Sequence, residues 1–209
     1  MNENKARDHL ARLSRSLFER GYSVGSAGNI SLRLDDGYLI TPTNSCLGFL
    51  EPDRISKLDF EGKHVSGDKP SKEIFLHTAF YDTRANVGAV VHLHSTYATL
   101  MSCMKDIDPE DCIRPLTPYV VMRVGKVARV PYFRPGDERG GDLIRALGGK
   151  FAAVLLANHG PVVSGKDIIS TVYAAEELEE TAKLLVSLGN TPVNYLTDDE
   201  VADLHRVFG

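Results

Sequence analysis

The order in which helical stripes and short strand-like runs alternate is the strongest constraint this chain carries. A first helix is expected from about Lys5 to Arg20, because Leu10, Leu13 and Leu17 recur at three and four residues and Gly21 offers a stop. Alternating Ile30, Leu32 and Leu34 then run into Asp36-Gly37, a hairpin signal, before a second short strand at 38–41. Residues 55–60 fit a further strand, which Glu61-Gly62 turns back. From there helices and strands take turns. A helix is expected over 71–84, an apolar strand over 87–94, a helix over 95–104 and a proline-bearing loop over 106–118. A short strand over 127–130, a helix over 137–147 and a buried strand over 152–156 follow, with residues 161–163 continuing that strand. A long helix over 167–188 and, after the capping box of Thr197 and Glu200, a short terminal helix complete the order. Hairpin-joined strands followed by helix-separated ones predict an α/β fold of three layers, helix–sheet–helix. The central sheet is expected to be mixed and mainly antiparallel, in a single domain over 1–209.

Composition narrows the class. A chain of 209 residues holds a core without disulfide staples, and 43% hydrophobic with 25% charged residues is ordinary for a soluble globular protein. The longest apolar runs, 87–91 and 152–157, fall far short of the ~20 residues of a membrane span, so no membrane partner is expected. Residues 1–12 are charged in both signs and lack an apolar signal region, which argues against secretion. With 24 basic against 28 acidic residues, the net charge is −4, and a nucleic-acid partner is not expected. Cys46, Cys103 and Cys112 are odd in number and never at C-x-x-C spacing. A disulfide framework and a cysteine zinc site are therefore not indicated, and a reducing, cytoplasmic setting fits.

Chemistry concentrates in a few places. His92 and His94 stand at i and i+2 at the end of an apolar strand, so period-two geometry puts both rings on one face, about 6.5 Å apart at the backbone. That span suits two imidazoles meeting one metal; it is equally what two unrelated strand-end histidines would look like. His159 follows another buried run and precedes Gly160-Pro161, a turn that would hold it rigidly. Three imidazoles with an open position are the ligand set of a catalytic zinc or another late first-row divalent ion. Glu73 is expected in the first turn of a helix, where the dipole alone would favour a carboxylate. Its neighbours Ser71 and Lys72, with the free amides of the helix start, also suggest an anion site and a substrate carrying phosphate or carboxylate. The loops 25–29 and 41–45 offer backbone amides, hydroxyls and the Asn29 and Asn44 side chains, although plain turn chemistry explains each loop alone. Tyr119 is expected in the long loop, as a packing anchor or a phenolic acid. No G-x-S-x-G elbow is present, and the cysteines have no local activating motif.

The segments 26–31, 41–43, 70–73, 90–95 and 156–160, in that order, resemble the class II aldolase/adducin family over almost the whole chain. The resemblance implies an α/β/α fold and a cytoplasmic cyclic homotetramer with sites at subunit interfaces. It also implies one divalent ion per chain, Zn2+ above all, held by His92, His94 and His159. Glu73 matches the acid/base carboxylate, which also ligates the metal when no substrate is bound. Asn29, Thr43 and Ser71 match phosphate-binding loops; Gly28 and Asn44 share those loops, and Lys72 completes the expected substrate-binding set. Tyr119 matches a tyrosine that approaches the metal of the neighbouring subunit. Adducin-like interaction modules lack the three histidines, and this chain keeps them. Sugar-phosphate aldolases of the family carry Ser-Ser-Glu where this chain has Ser71-Lys72-Glu73. With segments 43–48, 114–122 and 132–137, that departure resembles the branch acting on phosphorylated four-carbon sugar acids. The implied reaction is a metal-dependent decarboxylation of a 3-oxo acid phosphate to dihydroxyacetone phosphate and CO2 through a metal-stabilised enediolate. Cleavage of a sugar 1-phosphate by an aldolase, of the fuculose or ribulose type, and a non-catalytic adducin-like interaction module are the alternatives.

Overall fold

Helix α1 (Glu3–Glu19) starts where the Asn2 side chain accepts a hydrogen bond from the Lys5 amide at 3.0 Å, and it buries Ala6, Leu10 and Leu17 on one stripe. The computed structural model describes residues 2–208; Met1 and Gly209, the ends of the expected domain span, lie outside the described residues. Strands β1 (Asn29–Leu34) and β2 (Gly37–Ile40) form the expected hairpin, and β3 (Ser56–Leu58) and β4 (His64–Ser66) extend it. Next come α2 (Ile74–Thr83), β5 (Ala89–His92), α3 (Thr96–Ser102), α4 (Pro118–Arg123) and β6 (Val127–Val130). They are followed by α5 (Arg139–Ala146), β7 (Ala153–Leu156), β8 (Gly160–Gly165), α6 (Ile168–Leu188) and α7 (Asp198–Phe208).

The strands form one eight-stranded sheet in the order β4-β3-β2-β1-β5-β8-β7-β6. Among the described pairs, β6 and β7 are parallel and the others antiparallel, because α5 crosses over between those two while hairpins or long returns join the rest. The apolar runs are buried on both faces by the two-residue period of a strand. Ala153 and Leu155 belong to one core with buried residues of α1, α3, α4 and α6; Val154 and Leu156 belong to the other, with buried residues of α2 and α5. The expected three layers are therefore present, with a core on each side of the sheet.

Three local expectations are corrected. Residues 161–163 do not continue β7: Asn158 at φ 58° and Gly160 at φ 153° turn the chain, and β8 returns antiparallel with Leu156 opposite Gly160. Helix α2 begins at Ile74, not Ser71, and Glu73 occupies its N-cap. The segment before it is tied to the 41–45 loop by a Pro42–Pro70 bridge and by Ser71 N donating to Thr41 O at 3.2 Å, so helical geometry starts later. Tyr119 lies in α4 rather than in a loop; Pro118, at the first helical position, is a start signal there.

Candidate active site

Sheet register gathers the site at one end of the strands. Asn29, which opens β1, pairs with His92, which closes β5; His92 also pairs with Val162 near the start of β8. The turn between β7 and β8 carries His159 to the same end. Two glycines let these segments approach. A Cβ on Gly28, at φ 81°, would lie 2.8 Å from the His92 carbonyl oxygen, and one on Gly160 would lie 2.4 Å from that of Leu93.

The three histidines converge. The Nε2 atoms of His92 and His94 are 3.2 Å apart, and those of His94 and His159 are 3.0 Å apart. His92 Nδ1 lies 2.9 Å from the Pro161 carbonyl oxygen, which only accepts, so the His92 proton sits on Nδ1 and the lone pair of Nε2 points into the cluster. Burial pushes His92 down to about 3 and lowers His94 and His159 as well, so the rings are neutral. Glu73 completes the group, its carboxylate oxygens 3.7 Å from His92 Nε2 and 3.8 Å from His159 Nε2. Burial disfavours the Glu73 charge, while any proton on the neighbouring histidines and the Asn29 amide, which donates at 2.8 Å, favour it, and the balance holds its carboxyl below the usual range. Neutral nitrogen lone pairs crowded around one point, with a carboxylate beside them and a hydrogen bond fixing the outer nitrogen of His92, are the donor set of a divalent transition-metal ion.

A cavity of about 400 Å³ opens onto this cluster. Gly28, Asn29, Thr43, Asn44, Ser71, Lys72 and Glu73 all line it, together with His94 and His159. Asn29 is more constrained than a loop residue: its amide donates to Glu73 and its oxygen accepts from His77, which leaves one N–H for a ligand. Tyr119 is not among the lining residues. It stands half exposed on α4, with the Arg123 guanidinium 6.0 Å from its ring.

Tyr132 and Asn158 also line the cavity and were not singled out from the sequence. Tyr132 follows the end of β6, and parallel pairing sets Val130 beside Leu156, so the segment after β6 reaches the histidine end. His77 lies beneath the site and was equally missed; its signal was its position one helical turn after Glu73.

The Class II Aldolase and Adducin N-terminal domain family matches residues 8–186, and the chain belongs to that family. A curated relative from Pectobacterium atrosepticum, named 3-oxo-tetronate 4-phosphate decarboxylase, is 53% identical over 204 residues, covering 97% of this chain and 94% of its own length. The solved structure of YgbL from Klebsiella pneumoniae superposes with a TM-score of 0.95 at 51% identity, covering 98% of this chain and 99% of that one. An L-fuculose phosphate aldolase from Methanocaldococcus jannaschii is 36% identical over 174 residues, covering 83% of this chain and 91% of its own length.

Proposed function

We propose that the chain is a divalent-metal-dependent carboxy-lyase that converts a 3-oxo-tetronate 4-phosphate to dihydroxyacetone phosphate and CO2. The observation that carries this reading is one cavity in which Lys72 and the Ser71, Thr43 and Asn44 loops adjoin Glu73 and the His94 and His159 members of the histidine cluster. The named decarboxylase at 53% identity over nearly the whole chain supports the same substrate.

His92, His94 and His159 would hold the ion, with Glu73 as a fourth ligand before substrate enters; the donor set favours zinc. When bound, the ion supplies Lewis acidity toward the substrate carbonyl and offsets the negative charge that develops as CO2 leaves. The hydroxyls of Thr43 and Ser71 and the amides of their loops bind the phosphate. Lys72 faces the carboxylate as a point charge and orients the C1–C2 bond for cleavage. That bond breaks, its electron pair passes toward the C3 oxygen, and C2 then takes a proton. That proton comes from solvent, and Glu73 and a Tyr119 phenol supplied by the neighbouring subunit relay it to C2. The assembly is a homotetramer with sites shared between subunits. The cytoplasm is the proposed location, and the three free cysteines suit it.

The test is direct. Purified protein is given phosphorylated 3-oxo acids derived from tetronates and, separately, sugar 1-phosphates. CO2, aldehyde and dihydroxyacetone phosphate are then assayed. CO2 with dihydroxyacetone phosphate is the expected result. Aldehyde without CO2 would make the chain an aldolase, and no product from a fully metallated protein would make it an interaction module.

A further inference from the structure

Glu73 stands at the end of a line of buried hydrogen bonds. Residues 73, 77 and 81 recur every four positions from the N-cap of α2 onward, and Asn29 and Ser31 stand two apart on β1, so the two sets meet where the helix packs on the sheet. Tyr81 Oη lies 2.7 Å from Ser31 Oγ, which lies 2.8 Å from His77 Nδ1. His77 Nε2 lies 2.6 Å from Asn29 Oδ1, and Asn29 Nδ2 lies 2.8 Å from Glu73 Oε2.

The direction of each bond follows from its ends. The Glu73 carboxylate only accepts, so the Asn29 N–H faces it and the Asn29 oxygen faces His77; that oxygen only accepts, so the His77 proton sits on Nε2. His77 is wholly buried and neutral, so its Nδ1 presents a lone pair. The Ser31 hydroxyl donates to that lone pair, and Ser31 in turn accepts from Tyr81. The Asn29 amide is thereby left one orientation, with its N–H toward Glu73. Turned end for end, it would set its oxygen against the carboxylate and an N–H against the His77 N–H.

We propose that His77 is a positioning residue for the reaction: through Asn29 it fixes the hydrogen-bond donor that holds the Glu73 carboxylate beside the histidine cluster. This rests on the reading of Glu73 as the acid/base group. His77 does not line the cavity, so it acts through Asn29 and not on substrate. The line is a brace and not a proton relay, because the Asn29 carbonyl that receives the His77 N–H has no proton to pass on.

His77→Phe keeps a ring in place and removes both nitrogens, whereas His77→Gln restores an N–H near the position of Nε2. Each is measured in the parent and in a Glu73→Gln background. His77→Phe should lower kcat about tenfold or more while KM stays within about threefold, and His77→Gln should recover most of the loss. In the Glu73→Gln background, His77→Phe should change the residual rate by less than about twofold, because the braced group is already altered. A loss confined to KM, or an equal loss in both backgrounds, overturns the proposal. Crystal structures give a readout without turnover: Glu73 should leave its parent rotamer in His77→Phe and keep it in His77→Gln. A Glu73 unmoved in His77→Phe overturns the brace. Nitrogen-15 histidine NMR of the unaltered protein needs no variant to fold. It should show His77 protonated at Nε2, and protonation at Nδ1 overturns the assignment. If the parent releases no CO2, the proposed reaction fails, while the rotamer and the tautomer still decide the brace.

Discussion

Glu179 reaches from α6 to the start of α3 and accepts from the backbone amides of Tyr97 and Ala98, both at 2.8 Å, with 6% of its surface exposed. Ser95, in the N-cap position of α3, makes no side-chain cap bond, so a residue 81 and 82 positions from those amides caps this helix. Glu179→Ala removes two hydrogen bonds to a charged acceptor, each worth about 1.5–3 kcal/mol, and leaves two donors without partners. Allowing for non-additivity within one side chain, the loss is roughly 3–5 kcal/mol. At about 2–4 °C per kcal/mol for a chain of this size, Tm should fall by roughly 10 °C. Glu179→Gln keeps one acceptor and sets an N–H against the other amide, so it should fall by about half as much. His94 lies two residues before α3, so the alanine variant should also hold the proposed divalent ion less tightly. Thermal unfolding followed by circular dichroism, at one protein concentration and with the metal stripped, separates the cap from metal linkage. A Glu179→Ala protein with Tm within about 2 °C of the parent and unchanged affinity for a divalent ion would refute the argument.

Single alanine substitutions of His92, His94 and His159 should each reduce metal content and activity severely; full metal occupancy in the His92/His94 double variant would remove the ligand assignment. Lys72→Ser should lose decarboxylation far more than phosphate affinity, read by inhibition with inorganic phosphate, and unchanged kinetics would show that Lys72 faces solvent. Under the proposed homotetramer, Glu73→Gln and Tyr119→Phe proteins should each be nearly inactive. Co-reassembled in equal amounts they should regain activity at about a quarter of sites; mixed tetramers confirmed by mass but still inactive would rule out a shared site. Burial pushes His77 down to about 3, below its unfolded value of about 6.5, so the unfolded chain takes the proton first. The urea midpoint of metal-stripped protein should therefore drop as pH falls from about 6.5 toward 3, and drop less in His77→Gln; equal slopes would show that His77 does not contribute.

Periodicity and chemistry within a few residues were enough to read much of this protein. The stripe of Leu10 and Leu17, the Asp36-Gly37 turn and the Thr197–Glu200 box became α1, the first hairpin and the start of α7, because each is decided by local dihedrals and adjacent side chains. The three histidines were legible for a similar reason: each falls at the end of an apolar run, where a strand must leave the sheet. The family motifs carried the cavity residues from Gly28 to Lys72.

Other features depended on partners that adjacency does not reveal. Residues 161–163 look like more of β7, and only the turn through Asn158 and Gly160 and the pairing with β5 make them part of β8. Residues 71–73 look helical, but the bridge to the 41–45 loop holds them out of α2. Glu179 reads as one more charge on a long helix until α6 packs beside α3. The line from Tyr81 to Glu73 exists because register sets Asn29 and Ser31 under α2, and the same register brings His92 level with Asn29. A strand's own sequence sets which side chains share a face; which strand lies beside it, and at what offset, is a property of the assembled sheet. The identity of the site was therefore written in local motifs, while the contacts that orient it came from pairings more than forty residues apart.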